Sequence, residues 1–383
     1  MLLKPRISTN ITPAKNILQE QLRKFPVLHR EDDGRVYEDE DAFILTKRRN
    51  GLTTLVPNIS SQGLLFRGDS TNNPRGKKSS IDNFYNDRQQ KGSKELGFKL
   101  MLEKVKYLDF AHAVYSFPLN KMFSDGIKMP DGQKIIMLDP IGLSHSYGYR
   151  TPLISLTSDI DIAIFYAVTC YNEQTHQYEI PKPGSEGVLY SYEMRRNFSL
   201  IKDLSALGLH VFPRPGLNKE FLFNLGEDMD FNSLPSVRGY IFNQDETISR
   251  QYLKKYDKGR ALMPKNDFLF QHLCRFPKNK VSAISLGIYL IDVAESVKKS
   301  FREYLDEVGI EVTDYLFPFF RAEELRDFYQ NIGTYWADFC RKIIFPEDDK
   351  IQGITYREFF EHLPEHGEYG KFFSIDYLNH WTQ

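Results

Sequence analysis

The sequence predicts an α+β fold with a helical carboxyl-terminal end. Short apolar runs typical of strands are separated by loops, and segments with helical spacing of apolar residues lie between them. Beyond residue 320 the helical pattern dominates. Strands and helices in this mixed order are typical of α+β domains. The 383 residues suffice for one large or two ordinary domains.

The composition is that of a globular protein rich in aromatic residues. Hydrophobic residues make up 41% and charged residues 26% of the chain, which has 29 Phe and 22 Tyr but only 2 Trp. Rings in such number need a sizeable core, and some can stack on a base or a nicotinamide. The formal net charge of -1 favours no class of partner, so a nucleic acid would have to meet a local basic patch.

The cysteines and the hydropathy pattern predict a cytoplasmic protein. Cys170, Cys274 and Cys340 lie far apart, which indicates neither a zinc site nor a disulfide framework and favours reduced thiols. The start of the chain lacks the apolar core of a secretory signal. No apolar run approaches the roughly twenty residues of a membrane span, so we expect no membrane association.

Residues 1–55 are predicted to form an amino-terminal appendage. Residues 14–25 fit a short helix, and a polar, charge-rich run follows over residues 29–41. Lys47-Arg48-Arg49 is a small basic cluster, which is either solvated or in contact with RNA or another polyanion.

The most informative stretch covers residues 61–70. Leu64-Leu65-Phe66 has the apolar character of a buried strand and leads into Arg67 and Gly68. An arginine at the end of a buried strand is costly unless it is paired, and its planar guanidinium suits a phosphate or carboxylate. Arg67 therefore either binds an anionic ligand or faces water or a local carboxylate such as Asp69. Gly68 is expected to allow a sharp turn or the close approach of a ligand.

A loop and a helix are predicted next. Residues 69–94 are polar and without apolar periodicity, which predicts a long loop of the kind that is often functional. This loop contains Arg75-Gly76-Lys77-Lys78, which is either solvated or in contact with nucleic acid. Over residues 94–115, apolar side chains at helical spacing predict a helix that covers the core.

A second informative stretch covers residues 145–158. Residues 153–156 are predicted to form a short buried strand, with the hydroxyl residues Ser155, Thr157 and Ser158 at its end. A helix over residues 160–168 is expected to follow. Ser158 or Thr157 either caps this helix, or the hydroxyls form a site for an anion or a ribose. Both interpretations stay open.

Further elements are predicted along the rest of the chain. The strands are residues 187–192, 221–223, 240–242, 269–273 and 284–290. A helix is predicted over residues 293–308, with Gly309 as its stop. Residues 310–383 contain helices around 322–342 and 355–362.

These stretches resemble, in order, the FRG domain, a family named for its Phe-Arg-Gly motif. Phe66-Arg67-Gly68 matches that motif. Residues 147–158, followed by Ala163-Ile164-Phe165-Tyr166-Ala167, resemble the second block, roughly Q-H-Y-G-x-x-T-x-L-L-D-W-T-S and then an apolar helix. Residues 284–318, with Gly309-Ile310 and Leu316-Phe317-Pro318, resemble the end of the pattern.

The resemblance implies a fold related to the ADP-ribosyltransferases, in which a split β-sheet core with flanking helices holds NAD in a cleft. Residues 56–320 would form this FRG or ADP-ribosyltransferase-like domain, and residues 321–383 a helical carboxyl-terminal extension. NAD would be the substrate, and no metal or further cofactor would be needed.

The resemblance also implies roles for single residues. Arg67 matches the position that holds NAD. Ser155, Thr157 and Ser158 match the hydroxyls that shape the nicotinamide pocket. Tyr147 is the expected stacking ring. Cleavage of NAD passes through a ribosyl cation, so a carboxylate near the developing positive charge would complete the site. The remaining residues expected to bind NAD are Gly68, His145, Ser158 and Tyr166.

The third block of the family, roughly R-x-x-x-Q-x-G-x-F, fits three positions in this chain. One is residues 260–270, where Lys265-Asn266-Asp267 replaces the glutamine and glycine. Another runs from Arg238 to Asn243-Gln244-Asp245-Glu246, and the third contains Lys219-Glu220 with Asn224 and Gly226. Since Gln244 and Glu246 supply the Gln/Glu chemistry that transferases prefer, Glu246 is the predicted catalytic carboxylate, the alternative being a turn glutamate in water.

The resulting hypothesis is an NAD-dependent ADP-ribosyltransferase that acts as an intracellular toxin or phage-defence effector. Its acceptor would be nucleic acid, with RNA favoured, or protein, and toxicity would call for a neutralising antitoxin. The alternatives are a non-catalytic nucleotide-binding FRG module and an NAD glycohydrolase. A nuclease using His145 or His112 ranks last, since no paired histidines or carboxylates stand at useful spacing.

Overall fold

The computed structural model describes residues 10–24, 42–47, 53–57, 63–73, 94–129, 132, 134–135, 139–172, 174–194, 204–225, 229–314, 318–345, 353–374 and 376–377. Within them the chain has a mixed α+β fold, as the sequence predicts. Several segments with sequence predictions lie outside the described residues: most of the loop over 69–94 with its basic run 75–78, the polar run 29–41, Arg48 and Arg49, and Leu316-Phe317.

The helices are numbered in chain order. They are α1 (Thr12–Lys24), α2 (Lys94–Ser116), α3 (Pro118–Asp125), α4 (Pro140–Ser146), α5 (Ile160–Val168), α6 (Pro213–Leu217), α7 (Glu246–Lys255), α8 (Phe268–Cys274), α9 (Ala283–Leu290), α10 (Glu295–Glu307), α11 (Ala322–Gln330), α12 (Ile332–Arg341), α13 (Tyr356–Glu361) and α14 (Gly367–Gly370). Among the residues described, none of these helices has the length and apolar character to span a membrane.

The strands are numbered in the same way. They are β1 (Phe43–Lys47), β2 (Thr53–Pro57), β3 (Leu64–Asp69), β4 (Ile127–Lys128), β5 (Lys134–Ile135), β6 (Leu153–Thr157), β7 (Cys170–Asn172), β8 (Gln177–Glu179), β9 (Glu186–Glu193), β10 (Leu204–Ala206), β11 (Glu220–Asn224), β12 (Val237–Asn243), β13 (Lys280–Ser282), β14 (Glu311–Thr313) and β15 (Ile343–Ile344).

Six strands form an antiparallel main sheet in the order β10-β11-β6-β3-β9-β12. Strand β3 pairs with β9 along its whole length. On its other side, β3 pairs with β6 at one position, Phe66 opposite Thr157. The main sheet therefore opens between β3 and β6 directly after Phe66, and Arg67 lies at the opening.

The two faces of the main sheet carry separate apolar clusters, because successive side chains of a strand point to opposite faces. Leu64 and Phe66 pack with residues of α1 and α5 on one face. Leu65 packs on the other face with Tyr190, Phe231 and further residues of β6, β9 and β11. Burial on both faces explains why the apolar run 64–66 is continuous rather than alternating.

Helix α5 packs directly on β3 at Gly68. A Cβ atom there would lie 1.9 Å from the carbonyl oxygen of Ala163 and 2.4 Å from the backbone nitrogen of Ala167. Gly68 stays in the strand, opposite Leu189, and does not turn the backbone. The expectation of a sharp turn at Gly68 is therefore wrong, because the space of the missing side chain is filled by the helix.

The first turn of α5 is capped by Asp159, not by Ser158 or Thr157. The carboxylate of Asp159 accepts hydrogen bonds from the backbone nitrogens of Asp161 and Ile162 at 2.8 and 3.3 Å. The hydroxyl of Thr157 accepts a hydrogen bond from the backbone nitrogen of Asp159 at 3.1 Å. Asp159 precedes the first residue of α5, so this bond does not cap the helix. The carboxylate supplies the cap that the sequence assigned to a hydroxyl.

The largest apolar cluster joins both ends of the chain. Phe43 of β1 packs in it with Phe117, Trp336 and Phe360. Trp336 is 2% exposed, and its Nε1 donates to the carbonyl oxygen of Phe360 at 2.8 Å. Strand β1 also pairs in parallel with β15. Residues of the predicted appendage 1–55 and of the predicted extension 321–383 thus share one sheet and one core with the predicted central domain.

Two segments predicted as strands are helices. Residues 269–273 lie in α8, where the carboxylate of Asp267 accepts from the backbone nitrogen of Phe270. Residues 284–290 lie in α9, where the hydroxyl of Ser282 accepts from the backbone nitrogen of Ser285. Both segments are short, and over so few residues the spacing of apolar side chains does not separate a strand from a helix. The predicted helix over 293–308 is confirmed by α10, and Gly309 follows it with a φ of 70°.

Candidate active site

A cleft of about 360 Å³ lies where β3 and β6 separate. This volume falls within the roughly 300–1,000 Å³ that is usual for small-molecule sites. Strands β3, β6 and β11 and helices α4, α5 and α6 contribute lining residues. The charged or ionisable side chains among them are Arg67, Asp69, His145, Arg214 and Glu220, besides the tyrosines described below.

Arg67 connects β3 to β6 across the opening. Its Nη1 donates to the carbonyl oxygen of Ser155 and its Nη2 to Oδ1 of Asp69, both at 2.9 Å. Its Nε is buried and has no partner among the described residues. Of the interpretations left open by the sequence, the structure therefore shows the pair with Asp69, and each terminal nitrogen of Arg67 uses one of its two N–H groups within the protein.

Glu220 provides a buried carboxylate in the cleft. Its Oε1 accepts a hydrogen bond from the hydroxyl of Ser155 at 2.6 Å, and its Oε2 accepts one from the hydroxyl of Ser146. Glu220 is 5% exposed, and this burial raises its pKa. The two hydroxyls and the charges of Arg67 and Arg214 act in the opposite direction, because they favour the ionised form.

Glu246, the predicted catalytic carboxylate, does not line the cleft. It begins α7, where its side chain is half exposed and accepts hydrogen bonds from Arg250, one turn later in the same helix. An acidic residue in a first helical turn is favoured by the helix dipole, which accounts for Glu246 without a catalytic role. Of the three candidate positions, Lys219-Glu220 is the one whose carboxylate lines the cleft.

The other two positions of the third block are buried in structural contacts. The Nε2 of Gln244 donates to the carbonyl oxygens of Ser70 and Ala167 at 2.9 and 2.8 Å. Asp267 is fully buried and pairs with Arg214. Neither side chain lines the cleft.

Arg214 is a second cation of the cleft, which the sequence analysis did not single out. It is 6% exposed, and its Nε donates to Oδ2 of Asp267 at 3.0 Å. Its guanidinium carbon lies 4.5 Å from the ring centre of Tyr147 and 4.3 Å from that of Phe270. Within the described residues, Nη1 and Nη2 of Arg214 have no hydrogen-bond partner.

Tyr147, the expected stacking ring, packs against Arg214 and does not line the cleft. Its hydroxyl donates to Oδ2 of Asp267 at 2.7 Å, and its ring contacts Phe110 and Phe212. Burial, and then the negative charge of Asp267, raise the pKa of Tyr147 well above its ordinary value, so it remains a neutral donor. Its role in this structure is to support Arg214.

Three other tyrosines supply aromatic surface to the cleft: Tyr166, Tyr171 and Tyr178. The ring of Tyr178 lies 5.7 Å from that of Tyr166 and 5.2 Å from that of Tyr171. The hydroxyl of Tyr166 donates to Oδ1 of Asn218 at 2.5 Å. Tyr171 is 40% exposed, which leaves much of its ring accessible for stacking.

The residues predicted from the sequence divide into two groups. Those that line the cleft are Arg67, Gly68, His145, Ser155, Thr157 and Tyr166, and those that do not are Tyr147, Ser158 and Glu246. The backbone nitrogen of Ser158 donates to the carbonyl oxygen of Lys219 at 3.3 Å. The Nδ1 of His145 lies 2.7 Å from the hydroxyl oxygen of Thr151.

The signal for Glu220 was present in the sequence, whereas the signal for Arg214 was weak. Glu220 opens the apolar run Glu220-Phe221-Leu222-Phe223, as expected of a strand that carries a carboxylate into a buried sheet. Arg214 stands between two prolines in a five-residue helix, which has no apolar period. Only the folded chain brings it beside Glu220.

Comparisons with protein-family models, with curated proteins and with solved structures each found no match to this chain. The similarity to the FRG domain therefore remains a prediction from the sequence. The function has to be argued from the residues of the cleft.

Proposed function

We propose that this chain is an NAD-dependent ADP-ribosyltransferase whose main sheet forms an ADP-ribosyltransferase-like split core. One observation supports this proposal above all. The buried carboxylate of Glu220 accepts hydrogen bonds from Ser146 and Ser155 in the same cleft as Arg67 and Arg214, at the point where β3 and β6 separate.

These residue types suit the cleavage of NAD. The diphosphate of NAD is anionic, the nicotinamide ring is cationic, and departure of the ring leaves positive charge on the ribose. Arginines bind diphosphates through charge-assisted hydrogen bonds. A preorganised carboxylate in a site of low dielectric stabilises developing positive charge, which is the role we assign to Glu220. Tyr166, Tyr171 and Tyr178 offer surface on which an aromatic ring can stack.

The two serines favour the ionised form of Glu220 and hold its carboxylate in place. Burial alone favours the neutral acid, which could not stabilise a cation. The hydroxyls of Ser146 and Ser155 act against burial, as do the two arginines. The hydrogen bonds also fix the carboxylate in one position, so little reorganisation is needed when charge develops.

We further propose that the acceptor is nucleic acid, with RNA favoured, or protein, and that the chain acts in the cytoplasm as a toxin or phage-defence effector held in check by an antitoxin. The proposal for RNA rests on the basic run 75–78, which lies outside the described residues, together with the aromatic side chains.

The experiment is to incubate the purified chain with NAD labelled in its adenylate, with and without cellular RNA or protein, and to measure nicotinamide release and transferred label. Label on a macromolecule supports the proposal. Nicotinamide release without transfer identifies an NAD glycohydrolase, and NAD binding without turnover identifies a nucleotide-binding module. Either result contradicts the transferase proposal.

Glu220→Gln tests the residue that carries the proposal. Removal of one preorganised electrostatic group typically costs about 10²–10³ in turnover, and we expect a loss of that size in nicotinamide release. Glu246→Gln is assayed beside it, since Glu246 is the carboxylate that the sequence favoured. Loss at Glu246 with full activity in Glu220→Gln would contradict the assignment.

A further inference from the structure

The two arginines of the cleft differ in what they can still bind. Both terminal nitrogens of Arg67 donate within the protein, one to the carbonyl oxygen of Ser155 and the other to Asp69. An anion that bound Arg67 through those nitrogens would have to share each of them with one of these partners, because only one N–H group is left on each. Arg214 uses only Nε, on Asp267, so its two terminal nitrogens can donate to a ligand without breaking any bond seen among the described residues.

Arg214 is also held in one orientation. Its side chain is 7% exposed, its guanidinium lies against the rings of Tyr147 and Phe270, and Asp267 fixes its Nε edge. Tyr147 in turn donates to the same carboxylate oxygen of Asp267. A guanidinium packed against two rings and bonded along one edge loses little freedom on binding, so its remaining edge is a preorganised donor pair for a phosphate.

The charges of the cleft match a ligand that carries both signs. Arg67 is paired with Asp69 and Arg214 with Asp267, which leaves Glu220 as the lining carboxylate without a hydrogen-bonded cation among the described residues. One free guanidinium edge and one carboxylate in a single cleft suit an anionic diphosphate joined to a cationic ring. Oxidised NAD has this distribution, whereas NADH keeps the diphosphate and has a neutral ring.

We propose that Arg214, rather than Arg67, is the residue that binds the diphosphate of NAD. Arg67 is a positioning residue: it holds Ser155, and the hydroxyl of Ser155 holds Glu220. This assignment rests on the proposed function, because it takes NAD as the ligand. It reverses the role that the sequence implied for Arg67.

The test is calorimetric titration with ADP, NAD and NADH. Arg214→Lys should weaken all three by about tenfold or more, since a single ammonium cannot reproduce two parallel donors. Arg67→Lys should leave ADP affinity within about threefold and lower kcat with little change in KM. Arg250→Lys, a matched change on the exposed face of α7, should alter neither quantity.

The difference in affinity between NAD and NADH gives an independent measurement. The unmodified chain should bind NAD more tightly than NADH, because Glu220 faces the charged ring, and Glu220→Gln should remove that preference while keeping ADP affinity. Melting curves accompany every variant. Should Arg214→Lys fail to fold because Asp267 is left poorly paired, the double variant Arg214→Gln with Asp267→Asn removes both charges and gives the same comparison.

The outcomes separate this inference from the proposed function. ADP affinity that falls in the Arg214 variants supports the inference even if NAD is never turned over, in which case only the proposed function fails. Full ADP affinity in a folded Arg214 variant overturns the inference even if NAD is turned over normally. An equal loss of ADP affinity in Arg67→Lys overturns it as well.

Discussion

The ionised form of Glu220, which the proposed chemistry needs, is the form that burial disfavours. Burial raises its pKa above the ordinary value of 4.5, so the folded protein holds this proton more tightly than the unfolded chain. The contribution of Glu220 to stability is therefore fully present below pH 4.5 and is lost as the pH rises through the raised value. Ionisation of Glu220 in the folded protein, which its proposed chemistry requires, therefore costs stability.

This cost predicts the stability of Glu220→Gln. The neutral amide keeps the size of the side chain and has no charge to bury; its oxygen accepts from one serine, and the hydroxyl of the other turns to accept from the amide nitrogen. We expect a melting temperature at neutral pH equal to or above that of the unmodified chain, with a smaller difference below pH 4.5. A clear drop in melting temperature at neutral pH would contradict this account of Glu220.

The same group predicts the pH dependence of turnover. Glu220 must be ionised to stabilise a ribosyl cation, so kcat/KM, which reports the free enzyme, should fall on the acid side with a midpoint above 4.5. The charge of Arg67 lowers the pKa of Glu220, so Arg67→Gln should move this midpoint to higher pH. The measurement is kcat/KM against pH for both chains, and a midpoint at or below 4.5 in the unmodified chain would contradict it.

Single residues were predictable from the sequence only where local pattern places them. Arg67 and Ser155 end apolar runs, and both lie in the cleft as predicted. Glu220 could not be separated from Glu246, because the choice depends on which strand pairs with β6. Arg214 reaches the cleft through contacts with Asp267, which is 53 residues away in the chain.

At the scale of elements, the close packing of α5 on β3 at Gly68 shapes the cleft. Gly68→Ala would place a Cβ atom 1.9 Å from a backbone oxygen, which no side-chain rotation relieves. We expect a loss of unfolding free energy of about 1–3 kcal/mol or more, by urea denaturation. Gly97→Ala is the matched control: it lies in α2 with open space around it, so we expect a gain of up to about 1 kcal/mol. Equal effects at the two sites would contradict this packing.

Elements were predictable where one periodicity is unambiguous. Strands β3, β6, β9 and β12 and helices α2, α5 and α10 all overlap their predicted segments. Helices α8 and α9 were predicted as strands because both are short: the apolar residues of α9 alternate, and α8 holds too few residues to show a helical period. In α9 the apolar residues do not all face inward, since Ile288 is 44% exposed, and this obscured the helical period.

At the scale of the whole molecule, residues from near the two ends of the chain pack in one apolar core. Phe43 near the start packs in the cluster that holds Trp336 and Phe360 near the end. Composition predicted a large aromatic core, but not that it would join distant segments, because such joins depend on long-range pairing such as β1 with β15.

This shared core predicts the effect of truncation. A chain ending at residue 320 loses β15 beside β1 and the aromatic partners of Phe117 and Phe123, such as Phe328 and Trp336. We expect it to lose its cooperative thermal transition and to bind a hydrophobic dye, because a large apolar face becomes exposed. A cooperative melt close to that of the full chain would show that residues 321–383 are a separable extension.

The most direct measurement is nicotinamide release and label transfer from NAD, with the full chain and with Glu220→Gln at neutral pH in the presence of cellular RNA and protein. The account predicts release with transfer of ADP-ribose by the unmodified chain, and a loss of about 10²–10³ in a variant that melts at the same temperature or higher. No release by the unmodified chain, or equal release by both, would contradict it.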